Sequence, residues 1–126
     1  MRTKINTGVR VIFGVALIAF GSDKFLEFMP HGHIMTETLM NAFMGLMANK
    51  FILPTVGIIE MLVGLSLLTN RFTNLSLLAL FPISFGIIAF HLAVDLPGII
   101  PGIAVATLNV YMLFRKRKEL AILLKP

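Results

Sequence analysis

Four stretches of almost unbroken apolar residues divide this chain, and they constrain its fold more than any other feature. They lie at about residues 8–28, 51–69, 73–93 and 97–115. One helical membrane span needs about 20 mostly apolar residues, so four spans fit within the 126 residues and leave no room for a separate soluble domain. The sequence therefore predicts one all-α transmembrane domain over residues 1–126, folded as a four-helix bundle.

The composition also indicates a membrane protein. Hydrophobic residues make up 57% of the chain and charged residues only 13%, whereas soluble domains have about 25% charged residues. The net charge of +5 has a simple use in orienting membrane helices, so we expect no nucleic-acid partner. The chain contains no cysteine, which excludes disulfides and catalysis by a cysteine thiolate.

The first apolar stretch has an alternative interpretation as a signal peptide. Arg2, Lys4 and Arg10 precede its apolar run from Val11 to Ser22, and small residues at Ala19 and Gly21 resemble a processing site. Apolar character resumes at Phe25, however. We therefore expect a retained first helix.

The distribution of Lys and Arg predicts the orientation of the four spans in the membrane. With four spans, both termini lie on the same side, and basic residues are enriched on the cytoplasmic side of membrane proteins. Only Lys24 and Lys50 fall on the opposite side. We therefore expect a multi-pass protein of the cell (inner) membrane with both termini in the cytoplasm, where nine basic residues would lie: Arg2, Lys4, Arg10, Arg71, Arg115, Lys116, Arg117, Lys118 and Lys125.

Two further segments are predicted to lie along the membrane surface. Residues of about 34–49 place Leu39, Phe43 and Leu46 at helical spacing but are too polar to span a bilayer. They are typical of an amphipathic interfacial helix, which would cap the bundle or cover a pocket on the outer side. The basic residues 115–118 are expected to extend the last helix, where they would attract anionic lipid.

Small residues mark the faces on which the membrane helices should pack, because membrane helices associate through small and polar side chains. In the second span, Gly57 and Gly64 share a face with Glu60, which should therefore point into the bundle. Corresponding faces are predicted on the other three spans: Gly14 and Gly21 in the first, Ser84, His91 and Asp95 in the third, and Gly98, Gly102, Ala106 and Asn109 in the fourth.

The ionisable residues within the spans are the candidates for function, because charges in a membrane are costly and usually have partners. At about 1.5 Å per residue, Glu60 lies about 13 Å from the outer end of its span. Lys24 lies nearer the outer surface and could reach much of the way to it. The candidate ligand-binding cluster therefore comprises Lys24 and Glu60, with Glu27, His91, Asp95 and Asp23 around the outer mouth.

Structural roles for these residues are an equally strong interpretation. A pair between Lys24 and Glu60 could serve only to fix helix register, since buried ion pairs add little net stability. His91 is better explained as a hydrogen-bonded structural histidine than as a metal or haem ligand. His31 and His33 form a weak metal motif without an acidic neighbour, so no metal site is predicted. The chain contains no recognisable catalytic motif.

The ordered combination of short motifs resembles the DoxX family of small bacterial and archaeal membrane proteins. The resemblance covers nearly the whole chain, and its specificity comes from the order of the motifs. These are Arg10 to Gly14, Phe20-Gly21, Lys24-Phe25, Pro54 to Glu60, Gly64, Leu67-Leu68, Asn70-Arg71-Phe72, Pro82, Phe90-His91 and Asp95.

The resemblance implies a subunit linked to quinol oxidation, and it draws attention to Lys24, Glu60 and His91. It predicts an accessory subunit of a membrane oxidoreductase, with a quinone pocket near these residues and a redox-protein partner. We expect no enzymatic activity of the chain alone. A small transporter that handles protons at Glu60, which at this size would need a homo-oligomer, and a purely structural membrane subunit remain as alternatives.

Overall fold

The computed structural model describes residues 2–26 and 36–125, and these are almost entirely helical. Two short 3-10 helices, Leu96–Gly98 and Ala121–Leu124, accompany the α-helices. The α-helices are α1 (Arg2–Leu26), α2 (Glu37–Ala48), α3 (Ile52–Thr69), α4 (Thr73–Val94), α5 (Ile100–Arg115) and α6 (Arg117–Leu120).

Three of these helices are long and apolar enough to cross a membrane, namely α1, α3 and α4. The predicted spans 51–69 and 73–93 agree with α3 and α4 to within one residue. The first helix begins at Arg2, well before the predicted start near residue 8. Hydropathy locates only the apolar part of a helix, and no residue in the polar first turns of α1 breaks the helix. At the other end, residues 27 and 28 of the predicted span lie outside the described residues.

The fourth predicted span, 97–115, is not one continuous helix. Asp95 leaves the helical conformation, a 3-10 turn follows at Leu96–Gly98, and α5 begins only at Ile100. Pro97 and Pro101 favour the break, because proline has no N–H to donate within a helix and is best accommodated in its first turn, where the structure places both of them. The resulting α5 has 16 residues and is shorter than the length of about 20 residues that a span usually needs.

The turn between α3 and α4 is tight and reverses the chain. Asn70 and Phe72 both adopt left-handed backbone conformations, with φ of 55° at each, which is uncommon for residues other than glycine. Ser66 donates a hydrogen bond to the carbonyl of Arg71, and Thr73 donates to Asn70 Oδ1 at 3.2 Å. These side-chain bonds hold the turn, so α4 runs back along α3.

The long helices pack in the order α1, α3, α4, α5 around a common apolar core. The outer surface is apolar as well, since side chains such as Leu62 and Phe85 are 60% and 71% exposed. A surface of this kind suits contact with lipid. The core residues are Phe13, Leu17, Val63, Leu67, Leu77, Leu80, Val105 and Met112.

Reciprocal glycine contacts bring α1 and α3 unusually close together. A Cβ atom placed on Gly21 would lie 2.6 Å from the carbonyl oxygen of Gly57, and one on Gly64 would lie 2.6 Å from that of Gly14. Real Cβ atoms do not approach so closely, so only glycine fits at these points. The two glycine pairs are spaced seven residues apart on both helices, as the predicted packing faces require, and they show that α1 and α3 are antiparallel.

The predicted interfacial helix at about 34–49 corresponds in part to α2, while residues 34 and 35 lie outside the described residues. Thr36 caps the helix, accepting a hydrogen bond from the Leu39 backbone N–H at 3.1 Å. Leu39 is buried, whereas Met40, Phe43, Met44 and Met47 are exposed. The helix therefore presents an exposed apolar surface, and its location in the membrane interface stays a prediction.

The sequence predicted that the basic residues 115–118 extend the last helix, and the structure differs from this prediction. α5 ends at Arg115, Lys116 leaves the helical conformation, and the single turn α6 is followed by the 3-10 helix Ala121–Leu124. At the end of α5 the Lys116 N–H bonds to the carbonyl oxygens of Met112 and Leu113, and the Arg117 guanidinium donates to Phe114 O at 3.0 Å. Lys116 and Arg117 thus provide hydrogen-bond donors for the last carbonyls of α5.

Candidate functional site

An ion pair between Lys24 of α1 and Glu60 of α3 lies within the apolar helices. Lys24 Nζ is 2.5 Å from Glu60 Oε1. The two residues are 36 positions apart in sequence, and the antiparallel packing of α1 on α3 brings them together. The structure therefore brings the two principal members of the candidate cluster into contact, and ligand binding by this cluster stays a prediction.

Lys24 reaches Glu60 because its side chain points back along α1. The Lys24 ammonium lies near the Phe20 carbonyl oxygen, one turn earlier in the helix, at 3.5 Å. Side chains on a helix lean toward its N-terminus, and for Lys24, close to the C-terminal end of α1, that direction leads toward the middle of the helix. Lysines near the ends of membrane helices usually extend outward to water. Lys24 extends inward, which indicates that Glu60 holds it there.

Glu60 is enclosed, whereas Lys24 is partly open. Glu60 is 1% exposed, and the Lys24 side chain is 23% exposed. The contact shown for Glu60 Oε1 among the described residues is the Lys24 ammonium. The carboxylate thus depends on one charged neighbour, and that neighbour forms the accessible side of the pair.

The glycine contacts create the space for this pair. Gly57 lies one turn before Glu60 on α3, and a Cβ placed on it would meet the Phe25 ring at 2.9 Å and Lys24 Cβ at 3.3 Å. The lysine stem therefore passes over the bare backbone at Gly57. A larger residue there would displace the stem and separate the charges.

The other acidic residues predicted near Lys24 are only partly described. Asp23 is half-buried near the end of α1. Glu27 lies outside the described residues, as do His31 and His33 of the weak metal motif. Among the residues that the structure describes, no three His, Asp or Glu side chains converge in a group that could hold a metal ion.

His91 and Asp95 form a separate pair at the end of α4. His91 Nδ1 lies 3.1 Å from Asp95 Oδ2 and 3.3 Å from the Asp95 carbonyl oxygen. Asp95 is buried, and a side chain at Gly98 would overlap its carboxylate, so the 3-10 turn closes over it. Within the part of the chain that the structure describes, Lys24 thus contacts Glu60, and His91 contacts Asp95.

A second buried polar group lies between α4 and α5, and sequence reasoning did not single it out. Asn109 is completely buried and donates to the Leu77 carbonyl oxygen at 3.1 Å, while the Ser84 hydroxyl donates to Asn109 Oδ1 at 3.3 Å. The sequence placed Ser84 and Asn109 on inward faces but did not predict that they pair. Asparagine in an apolar span is the signal that could have found this contact, because a buried amide needs partners.

Arg10, predicted from the sequence only as a basic residue on the cytoplasmic side, also makes a contact between two helices. Its guanidinium donates a hydrogen bond to the carbonyl oxygen of Leu67, near the end of α3. The last carbonyls of a helix lack partners within the helix, and a cation is favourable beside them. Arg10 therefore ties α1 to the end of α3 as well as contributing positive charge.

Two surface hollows lie elsewhere on the molecule. One is polar, with a volume of about 310 Å³, and is lined by residues of the α3–α4 turn together with Lys116 and Glu119. The other is an apolar groove of about 540 Å³ along α5. Lys24, Glu60 and His91 line neither hollow.

Comparison with known proteins identifies the family. Residues 6–93 match the model of the DoxX family, from α1 through nearly all of α4 and including both Lys24 and Glu60. Comparisons with curated proteins and with solved structures gave no match. Because the family model covers well over half of the chain, and because three of its helices are apolar and long enough to span a membrane, the protein is a small integral membrane protein that belongs to the DoxX family.

Proposed function

We propose that this protein is an accessory subunit of a membrane oxidoreductase, in which the Lys24–Glu60 pair contacts the headgroup of a quinone. The observation that carries the proposal is a buried ion pair whose cation is partly open while its carboxylate is enclosed. A pair that served packing alone would not need an accessible ammonium group.

The donors and acceptors of the pair suit a quinone headgroup. The Lys24 ammonium has three N–H donors; one faces Glu60, and another is close enough to the Phe20 carbonyl for a long hydrogen bond. A third remains for a ligand carbonyl.

Lys24 would donate a hydrogen bond to the bound quinone, and Glu60 would exchange a proton. A bound quinone would supply the redox chemistry, taking up two electrons and two protons in its reduction. Lys24 would polarise the carbonyl by donating to it, and Glu60 would accept or release a proton behind Lys24. The chain has no cysteine with which to hold an iron–sulfur cluster, so a redox-protein partner would exchange electrons with the quinone.

The proposal also gives the helices an orientation in the cytoplasmic membrane. Tyr111 of α5 donates a hydrogen bond to Asn6 of α1 at 3.3 Å, which supports placing the start of α1 and the end of α5 on the same side. We propose that α5 also crosses, despite its length, and that the basic end of the bundle faces the cytoplasm. Lys24 and Glu60 would then be reached from the outer half of the membrane.

The test is quinone retention by matched variants. Protein purified from native membranes in nanodiscs is analysed by mass spectrometry of extracted lipids, comparing wild type with Lys24→Gln and with Lys50→Gln. Lys50 is an exposed lysine just before α3, so its variant has the same change of charge. Quinone should be present in wild type and Lys50→Gln and strongly reduced in Lys24→Gln. Equal quinone in all three would contradict the proposal.

A structural role for the pair is the main alternative, and the glycine contacts between α1 and α3 favour it. These contacts already define a close interface, and an ion pair there could fix its register. The double variant Lys24→Met/Glu60→Leu separates the two roles. A folded double variant that keeps full cellular function would support the structural role, whereas a folded variant that has lost function would support the quinone site.

Proton transport at Glu60 is the second alternative, supported by the buried position of this carboxylate. Proteoliposomes containing wild-type or Glu60→Gln protein would test it through proton flux. Equal fluxes would exclude transport and leave the quinone proposal unaffected.

A further inference from the structure

The apolar groove on α5 is a second candidate site, far in sequence from Lys24 and Glu60. It is lined by five residues of one helix: Ala106, Thr107, Val110, Tyr111 and Phe114. From Ala106 to Phe114 the helix rises about 12 Å, close to the thickness of about 15 Å of one leaflet of hydrocarbon. The groove is shallow and open, and it has the length and the apolar character of a surface along which an acyl chain would lie.

An arginine closes the terminal end of this groove. The Arg117 guanidinium lies over the Phe114 ring, 4.3 Å from its centre, and donates to the Phe114 carbonyl oxygen at 3.0 Å. These two contacts hold the side chain in place while leaving most of its five N–H donors unused. Arginine in this state is suited to binding a phosphate group with two parallel hydrogen bonds.

The charges around Arg117 favour an anionic headgroup. Among the described residues, no carboxylate forms an ion pair with Arg115, Arg117 or Lys118. The nearest acid in sequence, Glu119, turns toward the start of α4, where it accepts a hydrogen bond from Asn74 at 2.6 Å and lies 3.9 Å from Lys116. Its charge is therefore drawn away from the groove.

We propose that an anionic phospholipid binds at this groove, with an acyl chain along α5 and its phosphate group on Arg117. Charge complementarity selects the lipid: a zwitterionic headgroup brings its own cation toward Arg115 and Lys118, and an anionic headgroup does not. The lipid would also cover the surface beside Tyr111, where a hydrogen bond joins α5 to α1. This site is independent of the proposed quinone site.

Native mass spectrometry of the whole purified chain tests the proposal. The protein is released from mixed micelles containing equal amounts of phosphatidylglycerol and phosphatidylcholine, and the adducts of each lipid are counted. Wild-type protein should retain phosphatidylglycerol in clear preference. Arg117→Gln should reduce phosphatidylglycerol adducts about fivefold, as expected for one basic residue at an anionic surface, and Arg117→Lys should reduce them less.

Matched controls separate the groove from general charge and surface effects. Arg71→Gln removes a basic residue from the α3–α4 turn, and Thr55→Phe enlarges an exposed threonine on α3; both should retain the lipid as wild type does. Thr107→Phe, which enlarges an exposed threonine within the groove, should lose the lipid.

Equal retention of the two lipids by wild type would overturn the proposal, as would equal loss in Arg117→Gln and Arg71→Gln. A dimer that Thr107→Phe dissociates without changing lipid retention would show instead that a second copy fills the groove.

Discussion

The interface between α1 and α3 and the interface between α4 and α5 bury polar groups in opposite ways. The first joins two backbones through glycine contacts and contains an ion pair with a partly open cation. The second contains a buried neutral amide and a hydroxyl. The hydroxyl donates a hydrogen bond to the amide oxygen, and the amide N–H donates to a backbone carbonyl. Closed neutral groups hold helices together, whereas an accessible charged pair can also meet a ligand. This difference is the reason for placing the chemistry at Lys24 and Glu60.

Removing Lys24 should have the largest effect on stability. In Lys24→Met, the Glu60 carboxylate would remain buried without its charged partner, and breaking a buried ion pair in this way costs about 3 to 5 kcal/mol. Replacing both residues, in Lys24→Met/Glu60→Leu, should recover most of that loss. The free energy of unfolding in micelles measures both, with Lys50→Met as the control. A single variant as stable as the double would show that the two charges do not depend on each other.

Glycine substitutions should next test the close approach of α1 and α3. In Gly21→Ala, the new methyl group would overlap the Gly57 carbonyl, which is part of the backbone and cannot move aside as a flexible side chain could, at a cost of about 1 to 3 kcal/mol. Gly86 of α4 has no atom within 4 Å of such a methyl group. Gly86→Ala should therefore be neutral or stabilise by up to about 1 kcal/mol, since alanine favours the helix. The same unfolding assay compares Gly21→Ala with Gly86→Ala, and equal free energies of unfolding for the two variants would refute the close approach of α1 and α3.

The neutral cluster should produce the smallest change. Asn109→Leu removes the hydrogen bond to Leu77 and leaves the Ser84 hydroxyl without its acceptor. Hydrogen bonds between membrane helices are worth about 0.6 kcal/mol on average and at most about 1.7 kcal/mol. We expect a loss within that range and unchanged quinone content, with the exposed Thr107→Leu as the control on the same helix. A loss of quinone in a folded Asn109→Leu protein would contradict the assignment of separate roles.

The sequence predicted those features that depend on one helix at a time. Apolar length located α3 and α4, and helical spacing placed Gly57, Glu60 and Gly64 on one buried face. The lean of Lys24 along its helix follows from the same geometry, which explains why its contact with Glu60 could be anticipated. The reciprocal matching of Gly14 with Gly64 and Gly21 with Gly57 required the antiparallel packing.

Other features escaped because they depend on the backbone or on the neighbouring helix. The break before α5 arises from Pro97 and Pro101 within an otherwise apolar stretch, where hydropathy alone indicated a continuous span. The pairing of Ser84 with Asn109 depends on the relative height of α4 and α5, which spacing along one chain segment does not define.

Quinone retention by the folded Lys24→Met/Glu60→Leu variant is the decisive measurement for the quinone site, because this variant removes the ion pair while preserving the packing of α1 on α3. Its helicity should match that of the wild type, and its unfolding free energy should be close to it. If the ion pair binds the quinone headgroup, the variant purified from native membranes should carry almost no quinone while the wild type carries it. Wild-type quinone content in a folded double variant would assign the pair to helix packing alone.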